Sequence, residues 1–182
     1  MSGVDLGMLR EMQRGMVRNY VVPGFTSWLI GAKHDGGCVR MFHSQREHQE
    51  PITPHSHRFD FQCLVLRGRV CNRKWTRVYD PRADLYGASI LRCNAMGDYE
   101  KVYDRTDRYA FTDETFTAGE WYSMRAEEIH SIYFGSQTEV LFFEGPEKAD
   151  TSVILEPYVD GCVVPTFEVR PWMFRRDAPT PA

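Results

Sequence analysis

The feature that most constrains the fold is a series of short segments rich in β-branched and aromatic residues, which recurs from Phe25 onward. Turn signals such as Gly36-Gly37, Asp80-Pro81 and Gly145-Pro146 separate these segments. Many short strands joined by turns are typical of an antiparallel sandwich or barrel, so the sequence predicts an all-β domain. The predicted strands are Ser27–Ile30, Gly37–Phe42, Phe61–Leu66, Val70–Val78, Trp121–Met124, His130–Phe134, Glu139–Phe143, Val153–Leu155 and Val163–Val169.

The N-terminal part of the chain has a different periodicity. Apolar residues recur among charged ones at close to helical spacing, which predicts an amphipathic helix over residues 4–19 that ends before Pro23-Gly24. This helix would either pack across the β-domain or mediate a dimer. The apolar residues are Leu6, Met8, Leu9, Met12, Met16 and Val17.

The predicted organisation is one domain with two extensions. Residues 1–24 form the helix and its lead-in, residues 25–174 form the β-domain, and residues 175–182 form a flexible tail. Within the domain, residues 79–118 are rich in Asp, Arg and Tyr and predict a long, irregular excursion with one or two additional strands. That excursion either contributes substrate contacts or is a solvated loop.

Composition excludes several classes of function. The chain has 182 residues and a net charge of −3 with interspersed signs, so neither a nucleic-acid partner nor a membrane partner is expected. No apolar run approaches the roughly 20 residues that span a bilayer, and the N-terminus lacks a signal-peptide core, so we expect a cytoplasmic protein. The five cysteines have no Cys-x-x-Cys spacing, which argues against a disulfide framework and a structural zinc site.

Three histidines carry the chemical signal. His55 and His57 are separated by one residue, and on an extended segment their side chains point to the same face. Two converging imidazoles make half of a metal site, and the distant His130 can supply a third ligand. His55, His57 and His130 are therefore candidate ligands of one divalent metal ion, with a surface histidine and a satisfied core histidine as the alternative for the first two.

These residues resemble the two motifs of the cupin superfamily. In the first motif, His55 and His57 correspond to the His-x-His pair and Gly68 to the turn glycine. In the second motif, Gly119 corresponds to the opening glycine and His130 to the ligand histidine. The resemblance covers roughly residues 38–143 and implies a jelly-roll β-barrel, an antiparallel double-stranded β-helix, here with an N-terminal helix.

Other motif positions depart from the cupin pattern. Phe61 or Gln62 stands where the first motif has a glutamate, and Gln62 is favoured because it is polar. In the second motif Arg125 replaces the proline, Glu127 the inner glycine and Phe134 the closing asparagine. Without the glutamate, the bound metal would keep more open positions for substrate and dioxygen.

Two residues are candidates for the position nearest the metal after the three histidines. Gln62 would orient a ligand or a metal-bound water, whereas Asp60 would be a direct fourth ligand if it is not a turn cap or an ion-pair partner of Arg58. A three-histidine cupin without the glutamate is similar to thiol dioxygenases, some of which link a cysteine at this position to a tyrosine. Here Cys63 lies one residue away and is expected on the opposite strand face from Gln62.

Other side chains are candidates for substrate contacts or catalysis. Arg40, a charged residue in an apolar strand, would bind an acidic group of the substrate if it points inward. Tyr122 would line the pocket and bind substrate, and Tyr133 would assist catalysis, with plain core packing as the alternative for both. His43 is expected at the surface.

The resemblance implies several functions. The favoured hypothesis is a non-haem iron dioxygenase acting on a small organic molecule, with Fe(II) as the metal and Zn, Ni or Mn as alternatives. The other hypotheses are a non-catalytic ligand-binding or sensor cupin and a redox-neutral isomerase or lyase. A small-molecule substrate is the expected partner, and the exposed barrel edges together with the helix suggest a homodimer.

Overall fold

Alternating burial defines the strands of this protein. In Thr138–Glu147 every second side chain from Thr138 to Glu144 is buried, and those between are partly exposed. Since strand side chains alternate between faces, this pattern produces a strand with one face in the core. A computed structural model describes residues 16–17, 24–48, 52–93 and 99–166, and these residues form twelve strands. None of them belongs to a helix that could cross a membrane.

The strands follow one another along the chain as β1 Met16–Val17, β2 Phe25–Ala32, β3 Cys38–Ser44, β4 Phe59–Arg67, β5 Arg69–Val78, β6 Asp84–Cys93, β7 Tyr99–Thr117, β8 Trp121–Met124, β9 Ile129–Phe134, β10 Thr138–Glu147, β11 Thr151–Val159 and β12 Cys162–Val163.

Two six-stranded sheets form the domain. The first sheet has the order β1-β2-β3-β10-β4-β8, the second has the order β12-β11-β6-β7-β5-β9, and all pairings are antiparallel. The main hydrophobic core combines side chains of both sheets, among them the fully buried Val65, Val70 and Val140. The predicted all-β class is confirmed, and the arrangement is consistent with a jelly roll.

The two predicted chain ends fall mostly outside the described residues. Of the helix predicted over residues 4–19, the structure describes only Met16–Val17, and these residues form β1. Met16 pairs with Trp28 of β2, so helical structure is wrong at that point. The rest of the predicted helix and the tail 175–182 lie outside the described residues.

The segment 79–118 holds two strands, as many as the one or two additional strands that were expected, and little of it is irregular. Residues 79–118 contain β6 and β7, which lie in the middle of the second sheet and not beside it. Arg73 of β5 pairs with Asp113 of β7, and its guanidinium lies 3.7 Å from the Phe111 ring centre. Because cross-strand ion pairs satisfy the charges, a sequence rich in Asp and Arg forms a long strand here.

The turn between β4 and β5 requires a glycine. Gly68 has a φ of 76°, and a Cβ atom there would lie 2.4 Å from Thr138 Oγ1. Gly119 has a φ of 91°, but a Cβ atom would meet nothing within 4 Å. We therefore expect Gly119→Ala to lower the free energy of unfolding by about 1 kcal/mol through backbone strain alone. Gly68→Ala should lower it by about 2–3 kcal/mol because a steric conflict is added.

Urea denaturation of the two alanine variants measures both values. Gly119→Ala acts as the control for the strain, because it shares the positive φ without the contact. Equal losses of stability in the two variants would contradict the role given to Thr138.

Candidate metal centre

Backbone pairing brings the three histidines together. His130 lies in β9, and His55 lies on the extended segment before β4. The backbone N–H of His55 donates to the His130 carbonyl at 2.8 Å, and the N–H of His130 donates to the His55 carbonyl at 2.9 Å. His57 continues this segment and donates its backbone N–H to the Ala126 carbonyl at 3.0 Å. Because the side chains of residues 55 and 57 lie on the same face of an extended chain, both imidazole rings lie near the ring of His130.

The imidazole rings form a compact cluster. One ring nitrogen from each of His55, His57 and His130 lies within 4.8 Å of the others. The distance between the Nε2 atoms of His57 and His130 is 3.0 Å. Two nitrogens that bind one metal at about 2.0–2.1 Å and at a right angle are about 3 Å apart, so this pair has a separation suited to a shared ion.

Hydrogen bonds to the outer nitrogens orient two of the rings. His130 Nδ1 lies 2.7 Å from Asn72 Oδ1, and His55 Nδ1 lies 2.8 Å from the Thr53 carbonyl oxygen. A carbonyl oxygen only accepts, so each Nδ1 carries the proton and donates it. Each Nε2 is then left with a lone pair, which is the state that binds a metal. The donor set therefore fits a divalent ion.

The environment keeps the rings neutral. Burial lowers the pKa of His55, and burial together with the neighbouring imidazoles lowers the pKa of His57 well below 6.5. Burial also lowers the pKa of His130 well below 6.5, and the charges of His55 and Lys74 add to this effect. Neutral imidazoles at neutral pH are ready to bind metal without first losing a proton.

These pKa shifts predict acid sensitivity of the metal-free protein. The unfolded chain binds protons on these histidines at pH values below about 6.5, whereas the folded chain resists protonation. Protonation therefore favours unfolding, and the melting temperature should fall as the pH is lowered from 7.5 to 5. Thermal melts of the metal-free wild type and of His57→Gln test this. An equally steep fall in the variant would contradict a contribution from His57.

An aromatic ring occupies the position where a polar group was expected. Phe61 is buried, and its ring centre lies 4.7 Å from that of His57 and 5.5 Å from that of His130. Gln62 is exposed on the opposite face of β4, where it pairs with Ser123. The expectation that Gln62 lies beside the metal site is wrong. Side chains alternate between the two faces of β4, so Phe61 points inward and Gln62 points outward.

Two further expectations need correction. Tyr133 lies on the face of β9 opposite to His130, with the Arg73 guanidinium 5.3 Å from its ring centre, so it is not beside the cluster. Asp60 accepts a hydrogen bond from the Ala126 backbone N–H at 2.9 Å and pairs with Lys148, which lowers the pKa of its carboxyl group. Asp60 thus has the capping role that was the alternative to metal binding.

The histidine cluster opens into a cavity of about 180 Å³. Most of its wall is apolar, and its charged lining residues are Arg40, Arg58 and Glu144. Arg40 and Tyr122 line this cavity, so of the alternatives left open for each side chain the structure has the one that faces the pocket. The apolar lining comprises Phe25, Phe42, Ile52, Phe59, Phe61, Leu91, Ile132, Phe134, Phe142 and Ile154.

A carboxylate beside Arg40 was not anticipated. Glu144 of β10 is 5% exposed, and its Oε2 lies 4.0 Å from Arg40 Nε. The Cys38 thiol donates a hydrogen bond to the same oxygen at 3.1 Å. Burial, followed by the charge of Glu144, raises the pKa of Cys38 to about 11, so the thiol keeps its proton at neutral pH. The cavity thus contains both a positive and a negative group.

A second thiol lines the cavity. Cys63 faces inward from β4, as strand alternation predicts, and shares a hydrogen bond with the Tyr122 hydroxyl. Burial raises the pKa of Cys63 to about 12 and raises the pKa of Tyr122 well above 10. Both groups are therefore protonated at neutral pH and act as neutral polar groups in the wall.

Sequence reasoning missed Asn72, Thr53 and Glu144. Asn72 is followed by Arg73 and Lys74 in β5, and its full burial is visible only in the structure, so no sequence signal marks it. Thr53 acts through its backbone carbonyl, so its side chain gives no signal. Glu144 follows four apolar residues of β10 but is recognisable as a cavity residue only once its strand face is known.

Comparisons with known proteins give structural matches only. No protein-family model matches the chain, and no curated protein matches it in sequence. A cupin superfamily protein from Desulfitobacterium hafniense DCB-2 matches with 12% identity and a TM-score of 0.39, covering 68% of this chain and 78% of its own. KdgF from Halomonas sp. matches with 14% identity and a TM-score of 0.41, covering 70% and 85%.

A third match is larger than this chain. HEPD from Streptomyces albus, solved with 2-hydroxyethylphosphonate and Fe(II), has 12% identity and a TM-score of 0.46. The match covers 75% of this chain and 25% of that protein. Proteins described as cupins are among the solved structures that this chain resembles.

Proposed function

We propose that this protein is a metal-dependent cupin enzyme that oxidises a small organic molecule with dioxygen, and that Fe(II) is its metal. The observation that carries the proposal is the orientation of His55 and His130, whose Nδ1–H groups donate to Thr53 and Asn72. These bonds leave the Nε2 atoms of both rings unprotonated, in one cluster with the third imidazole of His57. Buried structural histidines do not need three adjacent imidazoles, two of them held with an unprotonated Nε2.

The donor set favours redox chemistry over a structural role. The histidine cluster of the described residues includes no carboxylate, so it leaves the charge of a divalent ion uncompensated and its remaining positions open. When bound, such an ion supplies Lewis acidity and, if it is iron, access to oxidation by dioxygen. Phe61 and Phe142 pack beside the cluster and limit the access of water to it.

Arg40 and Glu144 are proposed to orient the substrate. A plain monoanion would meet the negative charge of Glu144, and a plain cation would meet the positive charge of Arg40. A small molecule that carries both charges complements both groups in this largely apolar cavity. We therefore propose a dipolar substrate in place of the purely acidic one expected from Arg40 alone, with Tyr122 as an additional polar contact.

Probes of matched shape test this substrate class. Alanine carries both charges, whereas propionate lacks the ammonium group and ethylamine lacks the carboxylate. Thermal-shift titrations should show binding of alanine at least about 10-fold tighter than that of the other two. Glu144→Gln should shift the preference to propionate, and Arg40→Met should shift it to ethylamine. An unchanged order of affinities in both variants would contradict the assignment.

The test of the enzymatic proposal combines metal analysis with oxygen uptake. We expect near-stoichiometric iron after anaerobic loading of the purified protein, and oxygen consumption with one or more small acids, amines, amino acids or thiols. Turnover that does not depend on oxygen would indicate the redox-neutral isomerase or lyase. Ligand binding without any turnover would indicate the binding or sensor protein.

A further inference from the structure

The ring of His57 is held differently from the other two imidazoles of the cluster. The Nδ1 atoms of His55 and His130 donate to carbonyl oxygens, but within the described residues the His57 ring has no such acceptor. Its ring instead packs against Phe61 and Phe59, at 4.7 and 5.3 Å between ring centres. Apolar packing confines a ring without bonding either nitrogen, so the position of Nε2 depends on how the His57 backbone is fixed.

The His57 backbone is bonded to a neighbouring turn. Its N–H donates to the carbonyl of Ala126, which lies between β8 and β9, at 3.0 Å. The N–H of Ala126 in turn donates to Asp60 Oδ1 at 2.9 Å. Both backbone groups of this alanine are therefore bonded to the short segment that begins at His57 and ends at Asp60. Because Ala126 is only 6% exposed, losing either bond would leave a poorly hydrated polar group.

Asp60 also contacts a second turn, which joins β10 to β11. Its other carboxylate oxygen pairs with the side chain of Lys148. The backbone N–H groups of Lys148 and Ala149 donate to the Arg58 carbonyl at 2.7 and 3.1 Å. The segment that follows His57 is thus bonded to two turns, and the Asp60 carboxylate contacts both of them.

We propose that Asp60 is a positioning residue of the candidate metal centre and fixes His57 through the backbone of Ala126. A carboxylate is a stronger acceptor for a backbone N–H than a neutral group, so Asp60 anchors Ala126. The anchored carbonyl of Ala126 holds the His57 backbone, from which the imidazole ring projects. Because such sites tolerate displacements of only about 0.5 Å, a shift of this turn would reach the ligand nitrogen. The proposal rests on the metal site of the proposed function and not on the reaction at the metal.

Competition titrations of the full chain with a chelator test the proposal, using Zn²⁺ as a redox-inert probe. Asp60→Leu removes the acceptor and should lower the zinc affinity by at least about 10-fold. Asp60→Asn keeps a carbonyl oxygen that can accept the same bond, so its affinity should stay within about 3-fold of the wild-type value. Lys148→Met removes only a half-exposed ion pair and should also stay within about 3-fold.

Asp80 provides a matched control for the general effect of losing a carboxylate in a turn. Its Oδ1 accepts a hydrogen bond from the Arg82 backbone N–H at 2.9 Å, and its carboxylate pairs with the Arg82 guanidinium. This turn lies between β5 and β6 and is not bonded to the segment that carries His57. Asp80→Leu should therefore leave the zinc affinity unchanged. Equal losses of affinity in Asp80→Leu and Asp60→Leu would overturn the proposal.

Nitrogen NMR of the imidazole rings in the metal-free protein gives a readout that does not require metal. Asp60→Leu should shift or broaden the ring signals of His57, whereas His55 and His130 should keep the Nδ1–H tautomer that their own acceptors fix. A wild type that binds no zinc would contradict the metal site, and the His57 signals would still decide the role of Asp60. Unchanged His57 signals in Asp60→Leu, or a zinc affinity equal to that of the wild type, would overturn the proposal.

Discussion

Replacement of His57 by alanine is expected to lower the affinity for metal by more than about 100-fold and to abolish any metal-dependent turnover. The reason is geometric, since His57 Nε2 lies 3.0 Å from His130 Nε2 and completes the only cluster of potential ligands found in the described part of the chain. Two imidazoles without the third leave a weaker, incomplete site. Elemental analysis after anaerobic loading, with equal protein concentrations, measures the loss.

His43→Ala is the matched control for this variant. His43 lies on the outer face of β3, with its ring centre 6.3 Å from that of Trp28, and does not belong to the cluster. Its removal should leave the metal content unchanged. Retention of stoichiometric metal in His57→Ala, or equal losses in both variants, would rule out the proposed site.

Replacement of Asn72 by leucine is expected to lower the metal affinity by about 10–100-fold although Asn72 does not touch the metal. Asn72 is fully buried, and its Oδ1 accepts the hydrogen bond that holds the His130 Nδ1 proton. Leucine has a similar volume but no acceptor, so His130 loses the bond that fixes its tautomer and ring orientation. The buried N–H would also be left unsatisfied, which costs about 1–3 kcal/mol of stability.

The variant Asn72→Asp tests whether the hydrogen-bond acceptor at this position, and not its packing, sets the affinity for metal. A carboxylate oxygen at the same place accepts the His130 proton, so the affinity for metal should stay within about 10-fold of the wild-type value. Competition titrations with a chelator measure both variants, using Zn²⁺ as a redox-inert probe. Wild-type affinity in Asn72→Leu would show that His130 needs no acceptor, and the proposed role of Asn72 would then be wrong.

Much of the fold was predictable because its signals are local. Segments such as Trp121–Met124 are bounded by turn residues, and the strand found there has the predicted bounds. The strands expected within residues 79–118 are present, but their length and central place in the sheet were missed because the charges of this segment look like those of a loop. Their cross-strand partners, such as Asp113 with Arg73, become visible only when β5 and β7 are adjacent.

Metal-ligand candidates were also predictable from sequence. Histidine is an uncommon residue with specific chemistry, and the one-residue spacing of His55 and His57 determines their relative direction on any extended segment. The choice between Phe61 and Gln62 was not predictable, because it depends on where β4 begins and thus on which alternate residues face inward. A one-residue change in that start reverses every side chain of the strand.

The sequence alone therefore determined the fold class and the three candidate ligands, since both follow from local periodicity and residue chemistry. Tertiary structure decided what surrounds the ligands. The hydrogen bond from His130 to Asn72 and the ion pair of Glu144 with Arg40 each join residues far apart in the chain. Such contacts depend on the order and register of the strands, which no local pattern specifies.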